Sequence, residues 1–306
     1  MEMIRLKTFF KKTLENFGLD IVKLKTLRNY NLNTASYHDI REKGFSMRTI
    51  SYFDSELDCL INASAIDGRA LPIYSLSEAA HHPYIYAVKK VLFTEKNKRV
   101  MVVKNILQEY YKLVSPKSAG HLIRVKKDSI FYKLPVWNIL MPWQQETIQE
   151  WNKKIRKFVK LENQPYNRYA DITNGWAWTG PTDDIKALIE AERIVSLLNS
   201  ILEKGYLRNT GSDGDILGTI LIKDENNWKW QATHGQHRAC VLSALGYKKI
   251  PIRIVNLIRR NEVKDWPNVV SGLYKIDEAL DVFDMIFEGN FENISPQWDN
   301  YIYDKN

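Results

Sequence analysis

Residues 226–255 read NNWKWQATHGQHRACVLSALGYKKIPIRIV. Trp228, Trp230 and Ala232 alternate with polar residues, the period of a strand with one buried face. Asp224 to Asn227 are turn formers, so this strand is the second arm of a hairpin whose first arm is Ile216 to Ile222. The alternation stops at Gly235, a residue that accepts positive φ and leaves room beside the backbone. Gln236 to about Leu245 then read as a helix, Gly246 as its C-terminal glycine, and Ile250 to Val255 as a second strand.

The turn itself is His234-Gly235-Gln236-His237-Arg238. A helix that starts near Gln236 aims its free N–H groups and positive dipole end at the turn. Arg238 adds a fork of donors matched to phosphate oxygens, and His234 and His237 can donate hydrogen bonds or move protons. With Thr233 at the end of the strand, these residues make an anion cradle of the helix-N-terminus type. The alternative is a plain strand-to-helix turn with Arg238 on the surface.

The frame around the turn resembles the ParB/sulfiredoxin superfamily, whose members carry G-x-H-R or G-E-R-R here, then an Ala/Leu-rich helix and "LG…IPV". The matching positions are Gly235, Gln236, His237, Arg238, Ala239, Leu242, Ala244, Leu245, Gly246, Ile250, Pro251 and Ile252. The preceding helix, ending LLNSILEKGY, is similar to the one before that family's central strands, so the resemblance spans roughly residues 180–258. It implies an α+β fold with a small mixed-sheet core. In the sulfiredoxin and free-serine kinase branch it implies ATP or ADP with Mg2+ on the turn; in partition proteins, CTP and DNA. Gln236 stands where sulfiredoxin has its catalytic cysteine, which disfavours thiol chemistry. A partition-type helix-turn-helix is not visible after Arg260, where the chain turns acidic.

Phosphoryl transfer needs a phosphate clamp, usually a metal, and a group that orients the acceptor hydroxyl. The candidate carboxylates are Asp213 and Asp215 in the glycine loop and Glu190 or Glu192 on the preceding helix. Glu192 interrupts the stripe Ile185, Leu188, Ile189, Val195 and is expected to face inward. The catalytic candidates are therefore His237, Glu192 and Asp215, with Thr233 to Arg238 as the phosphate-binding residues. Adjacent His81 and His82 do not face one another on a helix start, so no metal ligands are assigned. Trp176 and Trp178 are packing residues that could also wall the site.

The chain of 306 residues carries 44 Lys and Arg against 36 Asp and Glu. The surplus is uneven: residues 86–133 hold twelve basic and three acidic residues, residues 262–306 three basic and ten acidic. The basic stretch can meet nucleic acid, an anionic membrane face or a phosphorylated substrate, or pair with the acidic tail. Two distant cysteines, Cys59 and Cys240, give no disulfide framework and point to a reducing compartment. No apolar run is long enough to span a membrane. Residues 1–28 are basic and amphipathic, suited to an anionic membrane surface or to docking on their own domain.

The expected organisation is this N-terminal segment (1–28), a mainly helical domain (29–165), the ParB/sulfiredoxin-like core (166–258) and an acidic helical cap (259–306). The expected function is a cytoplasmic phosphotransferase for a small-molecule or sugar hydroxyl. The basic N-terminus suggests work at the inner membrane face, as in surface polysaccharide biosynthesis. The alternative is a non-catalytic, ParB-like nucleotide- or nucleic-acid-binding module.

Overall fold

The computed structural model describes residues 37–43, 47–52, 59–71, 73–77, 81–163, 170–208, 214–289 and 296–305. The amphipathic segment 1–28 and Asp213 lie outside them.

The hairpin forms as its turn residues dictate. Strand β5 (Leu217–Asp224) pairs antiparallel with β6 (Asn227–His234), and Asp224 faces Asn227 across the turn. The Asp224 side chain accepts the Asn226 N–H at 3.1 Å, the local bond that makes Asp a turn residue. Helix α7 (Gln236–Ala244) follows, and the positive φ of Gly246 closes it. Strand β7 (Lys249–Arg259) then runs parallel to β5, four residues beyond the expected end at Val255.

The sheet does not stop there. Strands β1 (His38–Asp39), β2 (Cys59–Ser64), β3 (Gly68–Ala70) and β4 (Tyr74–Ser75) complete a seven-stranded mixed sheet in the order β1-β2-β7-β5-β6-β3-β4. Strand β2 runs antiparallel to β7, from Cys59 opposite Ile254 to Ser64 opposite Lys249. A short 3-10 turn carries the chain to the far side, where Gly68 and Arg69 pair in parallel with Trp230 and Gln231. Gly68 is required there: a Cβ would stand 2.6 Å from the Trp230 ring. Residues His38 to Asn306 thus pack as one unit. The boundaries expected at 165 and 258 fall inside it, and the region 29–165, besides its helices, supplies four strands of the sheet.

Ten helices occur among the described residues. Besides α7 they are α1 (Met47–Ser51), α2 (Pro83–Val91), α3 (Arg99–Leu113), α4 (Ala119–Ile123), α5 (Ile148–Asn163), α6 (Asp184–Lys204), α8 (Pro267–Val270), α9 (Ile276–Glu288) and α10 (Pro296–Lys305). Helix α2 starts at Pro83, where a missing N–H is harmless. Helix α6 is capped by the Asp183 side chain, which accepts the Lys186 N–H, and ends at Gly205. Helices α2 and α6 both pack on α3 and α7, which brings α6 beside the glycine turn.

The apolar stripe expected on α6 is buried at Ile189 and Val195 but not at Ile185. Ile185 and Leu202 are 43% and 49% exposed, while Lys186 and Glu190 are fully buried. On α5 Ile155 and Val159 are buried, while Phe158 is 52% exposed. No helix among the described residues is long and apolar enough to cross a membrane.

Candidate functional site

Strand β6 delivers the chain to an exposed Thr233 and His234. Gly235 then takes φ +74° and ψ 25°. A Cβ there would meet Ile216 at 3.1 Å and the Arg238 guanidinium at 3.0 Å, so both the conformation and the space call for glycine. The first intrahelical bond runs from the Ala239 N–H to the Gly235 carbonyl. The N–H groups of the turn before it have no carbonyl of their own helix to reach.

The side chains of the turn go to four different places. The Thr233 hydroxyl donates to the Leu217 carbonyl at 3.3 Å. The Gln236 amide oxygen accepts the N–H of Leu71 at 3.2 Å, fixing a residue whose φ is +54°. Gln236 therefore ties α7 to the end of β3. The Arg238 guanidinium donates to the Gly214 carbonyl at 2.5 Å and, more weakly, to that of Asp215 at 3.4 Å. Arg238 thus organises the loop ahead of β5 as well as facing the turn. The Tyr206 hydroxyl, near Arg238 and Asp215, is buried without a hydrogen-bond partner among the described residues.

His237 reaches inward. Its Nε2 lies 2.6 Å from Oε2 of Glu190, and its ring stacks on Tyr84 with centroids 5.0 Å apart. The carboxylate expected from α6 is therefore Glu190 and not Glu192. Glu192 is only partly buried, and two helical steps turn it about 200° from Glu190. Asp215 is buried beside the turn, but Arg208 grips both of its oxygens, at 2.8 and 2.9 Å. It is a paired anion, not a free base.

Glu190 anchors a cluster of charges. Oε1 accepts from Lys186 at 2.6 Å and Arg193 at 2.9 Å, one helical turn away on either side. Glu162 of α5 pairs with Arg193 at 2.9 Å and stands 3.6 Å from Lys186, whose ammonium also meets Asn163 at 3.1 Å. The Tyr84 hydroxyl shares its one proton between Oε2 at 3.2 Å and the Ala177 carbonyl at 3.1 Å, and that carbonyl also accepts from Tyr111 at 3.1 Å. Ala177 is held between Trp176 and Trp178, which stack 4.2 Å apart and serve as packing. Burial alone would raise the Glu190 pKa. Lys186, His237 and Arg193 more than offset it and hold the carboxyl well below its usual range. Burial, reinforced by the Glu190 charge, pushes the Tyr84 hydroxyl well above its usual value.

Behind His237 lies His82, fully buried at the N-cap of α2. Its Nδ1 accepts the Tyr84 N–H at 3.1 Å, and its Nε2 is 3.3 Å from Cys240 Sγ. Burial pushes the Cys240 thiol pKa well up, so this cysteine is an inert packing residue. His81 turns the other way and pairs with Asp299 of α10.

Tyr84, Lys186, Arg193 and Glu162 were not among the residues expected at the site, and His82 was set aside only as a metal ligand. The one available signal was the spacing Lys186, Glu190, Arg193, which aligns three charges on one helix face. No family model, no curated protein and no solved structure matches the chain.

Proposed function

We propose that the chain binds a nucleotide by its phosphates at the Gly235–Arg238 turn and transfers a phosphoryl group to a hydroxyl of a small molecule or sugar. On this reading the core is ParB/sulfiredoxin-like and the donor is cytoplasmic ATP or ADP. The observation that carries it is the build of the turn. An αL glycine opens a helix, Arg238 stands beside it, and the Tyr206 hydroxyl, without a partner among the described residues, offers a further donor. Among the described residues no three His, Cys, Asp or Glu side chains gather to hold a metal. Magnesium would therefore arrive on the nucleotide's own phosphates, as it does where metals bridge phosphate oxygens.

The reading as a non-catalytic nucleic-acid module draws on the basic stretch, whose charges are largely answered within the chain. Lys96 pairs with Glu203 at 2.5 Å, Lys104 with Asp184 at 2.5 Å, and Lys126 with Asp277 of the acidic tail. Lys90 donates to the Lys305 carbonyl, and Arg99 to Asn199. The phosphotransferase reading is the better supported of the two.

The test is thermal denaturation with ATP, ADP, CTP and GTP, each with magnesium. A ligand at a hundred times its Kd stabilises by about 2.7 kcal/mol. One nucleotide should raise the melting temperature, and Arg238→Ala should remove that rise. Arg238→Ala also frees the Gly214 carbonyl, so each variant is compared with its own unliganded melt. No shift with any nucleotide overturns the reading.

A further inference from the structure

The hydrogen bonds of Glu190 divide cleanly between its two oxygens. Oε1 takes Lys186 and Arg193, both from its own helix, while Oε2 takes His237 from α7 and Tyr84 from α2. Tyr111 of α3 and Glu162 of α5 complete the surroundings of the carboxylate, and both raise no new cation. A carboxylate accepts about four hydrogen bonds, and these four donors close off Glu190, the Tyr84 proton being shared with the Ala177 carbonyl. It has no exposed surface and no lone pair left for a substrate.

The charge balance is closed without the histidine. Lys186 and Arg193 face Glu190 and Glu162, two cations against two carboxylates. His237 can therefore remain neutral, donating Nε2–H to Glu190 and keeping its lone pair on Nδ1. Among the described residues Nδ1 has no hydrogen-bond partner, and the side chain keeps 18% of its surface in contact with solvent. The Tyr84 ring lies nearly parallel to the imidazole, at 19°, and fixes its plane. A neutral imidazole with its tautomer set by a buried carboxylate is the arrangement a general base requires.

We infer that Nδ1 of His237 takes the proton from the attacking hydroxyl, and that Glu190 is the positioning residue that holds the imidazole for it. This rests on the phosphotransfer reading of the turn. The acceptor oxygen forms a bond to the terminal phosphorus as the bond from that phosphorus to the bridging oxygen breaks. The nucleoside diphosphate leaves with the electron pair, the hydroxyl proton passes to Nδ1, and Glu190 stays ionised throughout. Loss of the proton to solvent resets the ring.

The experiment measures ADP formation from magnesium ATP, first with water and then with a panel of sugars and amino alcohols as acceptors. Binding is followed separately by the ADP-induced thermal shift. The wild-type rate should fall on the acid side as the base is protonated. His237→Gln should lower kcat by about 100- to 10,000-fold, lose the acid limb and keep the ADP shift. Glu190→Gln should lower kcat while KM for ATP stays within about threefold, the pattern of a lost transition-state contact. If Glu190→Gln leaves Lys186 and Arg193 too poorly paired to fold, His237→Gln keeps all four charges and carries the test. An acid limb that persists in His237→Gln, or variants with unchanged turnover, overturns the assignment, as does a wild type that binds nucleotide and turns none over. A wild type that binds no nucleotide overturns the phosphotransfer reading first, and this assignment with it.

Discussion

Both ring nitrogens of the buried His82 are occupied in the folded chain. Nδ1 accepts the Tyr84 N–H, which requires a lone pair, so the proton sits on Nε2 and points at Cys240 Sγ. The ring is therefore neutral, and charging it would break the cap of α2. Burial, above all, pushes its pKa from 6.5 down to about 3, with the nearby His237 imidazole adding to the effect. Unfolded, the same histidine titrates at its ordinary value. Between those two values the unfolded chain holds a proton that the folded chain does not. The contribution to stability is thus complete above pH 6.5 and is lost as the pH falls toward 3. The slope is about 1.4 kcal/mol per pH unit, which gives a loss of about 2 kcal/mol between pH 7 and pH 5.

His82→Asn isolates that loss, because asparagine caps a helix well and does not titrate. Urea unfolding of both proteins at pH 7, 6 and 5 gives the stability of each from midpoint and slope. The variant starts lower, since it leaves a cavity beside Cys240. The wild type should then lose about 2 kcal/mol more than the variant on going to pH 5. Glu190 does not confuse the comparison: its carboxyl is held well below the usual range, and its contribution is lost only at lower pH in both proteins. Parallel pH dependences would refute the neutral-histidine cap.

Gly235→Ala should destabilise by about 1–3 kcal/mol, because φ +74° and the contacts with Ile216 and Arg238 both oppose a Cβ. Chemical denaturation measures the loss, and the nucleotide shift should disappear with it. Arg69→Met should cost on the order of 3 kcal/mol in the same assay. The Arg69 guanidinium is almost fully buried and donates to the Phe287 carbonyl at 2.9 and 2.6 Å, closing the end of α9, and to Gly68 at 2.8 Å. Lysine in its place should not restore the loss, since a point charge cannot fork between carbonyls.

What was legible in the sequence is what carries strong punctuation. Asp224 to Asn227, Gly235 and Gly246 mark the hairpin, the glycine turn and the end of α7 within a residue or two. The other half of the sheet had no such marks. Strands β1, β3 and β4 are two or three residues long, too short to show a period, and β3 buries Arg69 among its three residues. Strand β2 is buried on both faces over Cys59 to Ile61, which erases the alternation that identifies a strand. These strands therefore went unread among the helices of the region, and the pairing of β2 with β7, nearly two hundred residues on, left no local trace.

The misplacement of α6 has a different cause. Counting apolar positions puts Ile185 inside, and Lys186 and Glu190 outside, because a buried charge is expensive unless it is paired. The pairing here comes from far along the chain: Glu162 and Asn163 on α5, Tyr84 on α2 and His237 on α7. None of it is visible from the helix alone. Nor is packing a sufficient reason for the cluster, since apolar side chains of similar volume often serve a buried face as well as an ion pair does. Methionine and leucine at 186, 190 and 193 would fill the same space. They would not place a buried, ionised carboxylate 2.6 Å from Nε2 of an imidazole whose other nitrogen has no partner among the described residues. That single contact is what the buried charges of α6 deliver to the surface turn.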